Sequence, residues 1–254
     1  NWFKAVDWAT NFLGVSLHDI KSDKTIVIIN KEWSVDNYLN REPKVQEGIF
    51  TRATIRKRLD IPCEYYIQRG YSNHILDKYD VGLCVDQEKR FKNRAVVPVY
   101  NDEYTYAIGL TARATWKNPQ HKWIHNKGFR ANHCLYNYWF AKDSIFETKQ
   151  VVLVEGPGDV WKLEENDIHN SVAMFGTELS EEQMVILERS GALDIIVLTD
   201  NDEAGINSAK KIKEKCDRIF RLYFPKIKTD VGDMNTDEIT KDVEPILNKA
   251  IGVV

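Results

Sequence analysis

The chain has 254 residues, 43% of them hydrophobic and 29% charged, which excludes a disordered polyampholyte and leaves one large globular domain or two smaller ones. No apolar run approaches the ~20 residues of a membrane span, and no basic-then-apolar secretory leader opens the sequence. The net charge of −3 hides a split: residues 89–142 hold ten Lys/Arg against two Asp/Glu, whereas residues 151–254 hold twelve against twenty-one.

A basic, aromatic-rich half followed by an acidic half suits a polyanion on the first and metal cations on the second; the plain alternative is two solvated surfaces of unlike charge. The four cysteines, Cys63, Cys84, Cys134 and Cys216, stand far apart. A zinc ribbon needs close pairs, so no zinc is expected in this fragment, and the thiols read as reduced residues of a cytosolic compartment. The chain opens on Asn1 and not on Met, as a fragment or processed product would.

Apolar spacing (Trp2, Val6, Ala9, Leu13) predicts a helix over 2–13, followed by a short strand over 25–29 and a polar linker over 41–48 that carries Pro43. Short helices are predicted over 63–68, stopping at Gly70, and over 72–79. Residues 94–100 and 104–111 have strand character, joined by an Asn101-Asp102-Glu103 turn. Residues 116–140 read as irregular, basic and aromatic.

Near Lys149 the pattern changes. Fully apolar strands are predicted over 151–154, 171–175, 194–198 and 218–224, with helices over 158–165, 180–190 (opened by a Ser180/Gln183 capping box), 204–215 and 243–250. Strands apolar on both faces, alternating with helices, predict an α/β fold: a parallel sheet flanked by helices, preceded by a mixed α+β basic subdomain. The domain reading is 1–60, a segment of uncertain role; 61–148, a basic nucleotide- and DNA-binding subdomain; and 149–254, a metal-binding catalytic domain.

Acidic groups stand just beyond successive apolar strands: Glu155 with Asp159, Asp200 with Asp202, and Asp230 with Asp233. Open α/β sheets bind ligands at the carboxyl ends of their strands, which is where all three groups fall. Asp200 and Asp202, two apart in an extended segment, point to one side. Clustered carboxylates raise one another's pKa, and an oxygen-seeking cation such as Mg²⁺ relieves the repulsion. For a single residue, helix capping competes with this reading, since Asp159 and Asp202 lie near predicted helix starts.

These residues resemble the Toprim signature shared by bacterial-type primases, topoisomerases and some nucleases. Val-Leu-Val-Glu155-Gly156-Pro-Gly-Asp159 resembles its first motif, Asp200-Asn-Asp202 with Gly205 its Asp-x-Asp motif, and Asp230-Val-Gly-Asp233 its third acidic motif. Phe175-Gly176-Thr177 resembles the Gly-Thr segment of the primase branch. Upstream, Arg69-Gly70, Asp80-Val81-Gly82, Arg94-Ala-Val-Val-Pro98-Val, Ile108-Gly109 through Arg113, Lys122-Trp123-Ile-His-Asn126 and Leu135-Tyr136-Asn137 resemble the basic subdomain of the bacterial and phage primase core. The sequence departs from that pattern at Thr229, where a Lys is usual, and at Ala131, where a basic residue is usual; Arg130 or Lys127 would take over the latter contact.

The resemblance implies synthesis of RNA primers from nucleoside triphosphates on single-stranded DNA. It implies two or more Mg²⁺ or Mn²⁺ ions on Glu155, Asp159, Asp200, Asp202, Asp230 and Asp233, with Glu155, Asp200 and Asp202 in catalysis. Arg69, Arg94, Arg113, Lys122, Lys127 and Arg130 would contact nucleotide or template; for Trp116, Trp123 and Tyr136 hydrophobic core is the favoured reading and stacking on bases the alternative. A replicative helicase is the implied partner, no membrane is involved, and a bacterial or phage-infected cytoplasm is the implied setting. A Toprim-type nuclease or topoisomerase-like enzyme, or a non-catalytic DNA-binding module, are the competing readings; no helicase P-loop or topoisomerase tyrosine domain is present in these residues.

Overall fold

A computed structural model describes residues 50–85 and 90–251, all within one compact unit, Ile49–Val254. The helix, strand and linker predicted over 2–13, 25–29 and 41–48 lie outside the described residues.

The basic half folds around an antiparallel sheet. Strand β1 (Phe50–Thr51) leads into helix α1 (Arg52–Arg56) and strand β2 (Leu59–Asp60); helices α2 (Glu64–Ile67) and α3 (Asn73–Lys78) precede β3 (Gly82–Cys84). Strands β4 (Arg94–Tyr100), β5 (Tyr106–Ala114) and β6 (Trp123–His125) complete the sheet in the order β1-β5-β4-β3-β2, with β6 on the other side of β5. Residues 50–60 are therefore woven into this sheet, ten residues ahead of the boundary read at 60. The buried Asp80 locks α1 to it, accepting from Arg52 Nε (2.7 Å), Tyr100 Oη (2.7 Å) and Arg56.

Helix α4 (Tyr138–Thr148) leads into the acidic half: β7 (Gln150–Val154), α5 (Pro157–Glu164), β8 (Ser171–Ala173), α6 (Glu181–Arg189), β9 (Asp194–Leu198), α7 (Glu203–Cys216), β10 (Arg221–Tyr223), a 3₁₀ turn at Val231–Asp233, α8 (Thr236–Asp242) and α9 (Glu244–Ile251). The four strands pair in parallel in the order β10-β9-β7-β8. Both faces are covered, as alternation along a strand requires. Val152 and Val154 enter one core with Trp161 of α5 and Ile239 of α8, whereas Val151 and Leu153 enter another with Ile145 of α4, Leu187 of α6 and Ile212 of α7. The first core continues into the basic half through Tyr66, Tyr71, Leu76, Val97 and Val99, so apolar packing runs unbroken across residue 148.

Two sequence expectations are corrected, and the two readings of Tyr136 are separated. Residues 116–140 are not irregular throughout: they contain β6, a 3₁₀ turn at Ala131–His133 and the first turn of α4. The start of α4 is marked by no side-chain cap; Asn137 is buried in the left-handed region (φ 72°), and its amide donates to the Ser171 carbonyl at 2.9 Å. Helix α8 was absent from the reading, although Asn235 and Glu238 cap it reciprocally. Tyr136 is fully buried, its hydroxyl accepting from Trp161 Nε1 at 2.9 Å, so it is a core residue and not a base-stacking one.

Candidate metal and nucleic-acid site

In the register of the parallel sheet Val154 lies beside Leu198, so the chain leaves β7 and β9 side by side at their carboxyl ends. Glu155 and Asp200 follow directly, and Glu155 Oε1 accepts the Asp200 amide at 3.1 Å. From the loop after β10, Asp230 Oδ1 accepts the Asn201 amide at 3.2 Å. Asp159, in the first turn of α5, accepts the Gly156 amide at 2.9 Å with one oxygen and the Gly232 amide at 3.0 Å with the other. Asp202 is the N-cap of α7 and accepts the Gly205 amide at 2.8 Å. Glycine is required at 205: a Cβ there would meet the Asp200 carbonyl oxygen at 1.9 Å. The carboxylates are thus set by backbone amides of one another's loops.

Glu155, Asp159, Asp200, Asp230 and Asp233 line one cavity of about 390 Å³, which Arg69, Arg113 and Lys122 also line. Asp202 lies just outside that lining, but its charge reaches Glu155. Burial, together with the charges of Asp200, Asp202 and Asp230, pushes Glu155 up to about 7 against the single amide that favours its ionised form. Burial likewise pushes Asp159 up to about 7 despite its two amide donors, with the Asp200 and Glu155 charges adding to it. Asp200 is raised by burial, then by Asp230 and Asp202, with Lys122 opposing. Its carboxylate has no hydrogen-bond partner among the described residues.

No three carboxylates, imidazoles or thiols among the described residues stand together as a ready-made metal cage. The donor set nevertheless fits a hard divalent cation: it is all oxygen, mutually repulsive and held by the backbone, and the Asp200 carboxylate accepts no hydrogen bond from the described residues.

The basic residues fall into two groups. Arg69, Arg113 and Lys122 line the cavity together with the acids, and Arg69 Nη2 reaches Asp233 Oδ1 at 3.5 Å. Arg94 lies outside it, buried, with Nη1 donating to the His121 carbonyl at 3.1 Å and its guanidinium 4.8 Å from the exposed Trp116 ring. Lys127 lines a separate apolar pocket beside Phe91 and Leu110, and Arg130 lies at the entry to the 3₁₀ turn at Ala131–His133. Trp123 lines the main cavity. Thr111, His125 and Phe175, which fall within the motifs quoted above without an assigned role, also line it, as does Tyr71, which sequence reasoning passed over. Tyr71 donates to the Gly232 carbonyl at 3.2 Å, a contact 161 residues apart that leaves no trace in local spacing.

Residues 149–223 match the family model of the Toprim domain, so the acidic half is a Toprim domain. The whole described unit has the fold of a bacterial primase catalytic core. It resembles the crystal structure of the Aquifex aeolicus primase zinc-binding and RNA polymerase domains (TM-score 0.62, 21% identity, covering 74% of this chain and 54% of that one). It also resembles a DnaG primase catalytic domain bound to single-stranded DNA (TM-score 0.57, 19% identity, covering 79% and 72%). In sequence it is 34% identical over 184 residues to a DNA primase of Helicobacter pylori, covering 69% of this chain and 32% of that protein. The chain spans between 28% and 32% of the length of the first curated relatives it matches, all DNA primases.

Proposed function

We propose that this chain is the catalytic core of a DNA primase, joining nucleoside triphosphates into a short RNA primer on a single-stranded DNA template. One observation carries the reading: repelling carboxylates, among them Asp200 with no hydrogen-bond partner for its carboxylate among the described residues, share a single cavity with Arg69, Arg113 and Lys122. The acids alone would drive a polyanion away, and the cations alone would bind one without chemistry. Together they suit a phosphoryl group held between metal and guanidinium.

Asp200, Glu155 and Asp230 would hold divalent ions, with Asp233 and Asp202 acting directly or through water. When bound, Mg²⁺ or Mn²⁺ supplies charge neutralisation for the triphosphate and a more acidic attacking hydroxyl. Glu155 keeps Oε1 on the Asp200 amide, and its other oxygen would either join a divalent ion or take up the proton of a 3′-hydroxyl. Asp159 holds the Gly232 loop, and with it Asp230 and Asp233, at the edge of the cavity. Arg69, Arg113 and Lys122 would position phosphates without reading sequence. Arg94, Lys127 and Arg130 lie outside the cavity and would touch only a longer strand passing over the basic half. The helicase partner and the bacterial or phage-infected cytoplasm follow from this activity.

The test is incubation of the chain, with a zinc module supplied in trans, on single-stranded DNA with labelled ribonucleotides and Mg²⁺ or Mn²⁺. Metal-dependent oligoribonucleotides are expected. Nicking of plasmid DNA without nucleotide incorporation would replace this reading with a Toprim nuclease, and DNA binding without metal affinity would replace it with a binding module.

A further inference from the structure

The most constrained group on the basic wall is Arg113, and what constrains it is Tyr65, a residue to which no role has been given above. Tyr65 sits on α2, four residues before Arg69. Its hydroxyl accepts from Arg113 Nε at 3.0 Å and lies 3.5 Å from Arg69 Nη1. The Arg113 guanidinium lies 5.7 Å from the centroid of the Tyr65 ring and 5.6 Å from that of Trp123, and the Arg69 guanidinium stands 6.0 Å from the Tyr65 ring. Burial alone would raise the Tyr65 phenol, but the two guanidiniums outweigh it and hold it below its ordinary value.

This arrangement decides which edge of Arg113 is presented. Nε is spent on Tyr65, the Tyr65 and Trp123 rings flank the group, and among the described residues neither terminal nitrogen has an acceptor and no carboxylate pairs with the side chain. The two terminal nitrogens form the edge that matches a phosphate bidentately. Two neighbouring guanidiniums would ordinarily splay apart. A shared hydroxyl acceptor and a shared ring face hold them together, and Asp233 steadies Arg69 from the acidic side at 3.5 Å. Ordering these side chains before a ligand arrives removes an entropic cost from binding.

We infer that Tyr65 is a positioning residue, one that pre-sets Arg69 and Arg113 as a two-guanidinium clamp for a phosphate group. The inference rests on the assignment of the cavity to a nucleotidyltransferase. The phosphate would belong to the template strand or to the incoming triphosphate, and the two sources are separable by experiment.

The experiment uses the full chain and the variants Tyr65→Phe, Arg113→Ala and the pair combined. Tyr65→Phe keeps the ring and removes only the hydroxyl, and Tyr65 is half-buried, so thermal stability should hold. One arm measures the Kd for an oligothymidylate by fluorescence anisotropy at several salt concentrations; the other measures kcat and KM for ribonucleotides. Tyr65→Phe should weaken one of these phosphate ligands by about three- to tenfold, with kcat retained, the lost bond being one to a charged donor. A rise in Kd assigns the clamp to the strand, and a rise in KM alone assigns it to the triphosphate. In the Arg113→Ala background the same change should add almost nothing, because its target is gone. Wild-type binding by Tyr65→Phe, or losses that simply add, would overturn the inference while leaving the cavity assignment intact. Wild-type behaviour of Arg113→Ala in both arms would instead remove the basic wall from function, and the clamp with it.

Discussion

Asp200 is the carboxylate whose surroundings say most about its use. Its amide is bound by Glu155, its carbonyl is packed against Gly205, and its carboxylate has no partner among the described residues. Removing its charge should therefore cost the fold nothing and cost the chemistry everything. Asp200→Asn is expected to keep or slightly raise Tm, since it relieves repulsion with Asp230 and Asp202, while primer synthesis falls to background. Near-normal incorporation by a folded Asp200→Asn protein would take the metal role away from this residue. Spacing was enough to single out Asp200 and Glu155, because the ends of neighbouring parallel strands meet by construction. It was not enough to rank the basic residues. Arg94 and Arg113 belong to paired strands of similar composition, but Arg94 turns to backbone carbonyls while Arg113 lines the cavity with the acids.

Elements bring such residues together through their ends. Asp202 has two roles, as the cap of α7 and as a charge felt by Glu155, and substitution separates them. Asp202→Asn retains an acceptor for the Gly205 amide, so its stability should match wild type while metal-dependent activity drops. Asp202→Ala should lose activity and also about 1 kcal/mol of stability, read as a fall in Tm. Full activity in the Asn variant would leave Asp202 as a helix cap only. Some helix starts are marked locally, as where Ser180 and Gln183 cap α6 reciprocally. Helix α4 was missed because Asn137 opens it from a left-handed, buried position whose hydrogen bonds go to Tyr79 and Ser171, far along the chain.

At the scale of the whole molecule, the shared core predicts one unfolding event. Trp161 packs edge-on against Tyr66, Tyr71 and Tyr136, joining the two halves. Trp161→Ala should cost about 3–5 kcal/mol and lower a single transition seen alike by circular dichroism and tyrosine fluorescence. Two separated transitions in the wild type would show that the halves fold independently. The acidic site works in the opposite direction. Glu155 and Asp159 are held near 7 in the fold against 4.5 and 3.8 outside it, so the folded state binds their protons more tightly. The stability they lend at low pH is fully present below about 4 and is lost as pH rises through 7. In chelator, Glu155→Gln should melt above wild type at pH 8 and level with it near pH 4, and Mg²⁺ should narrow the gap at pH 8. A difference that does not change with pH would contradict this account.

Hydrophobic period and chain direction, both local, were enough for the parallel α/β half, for the alternation of its strands and helices as far as β10, and for the acids at the strand ends, but not for α8. Only the tertiary structure decided that Tyr136 is core, that Arg69, Arg113 and Lys122 line the cavity with the acids while Arg94 does not, and that Tyr65 and Tyr71 serve the site. Those outcomes depend on which faces of two sheets pack together, and the contacts that settle it join residues separated by tens to more than a hundred positions, where no local spacing registers them.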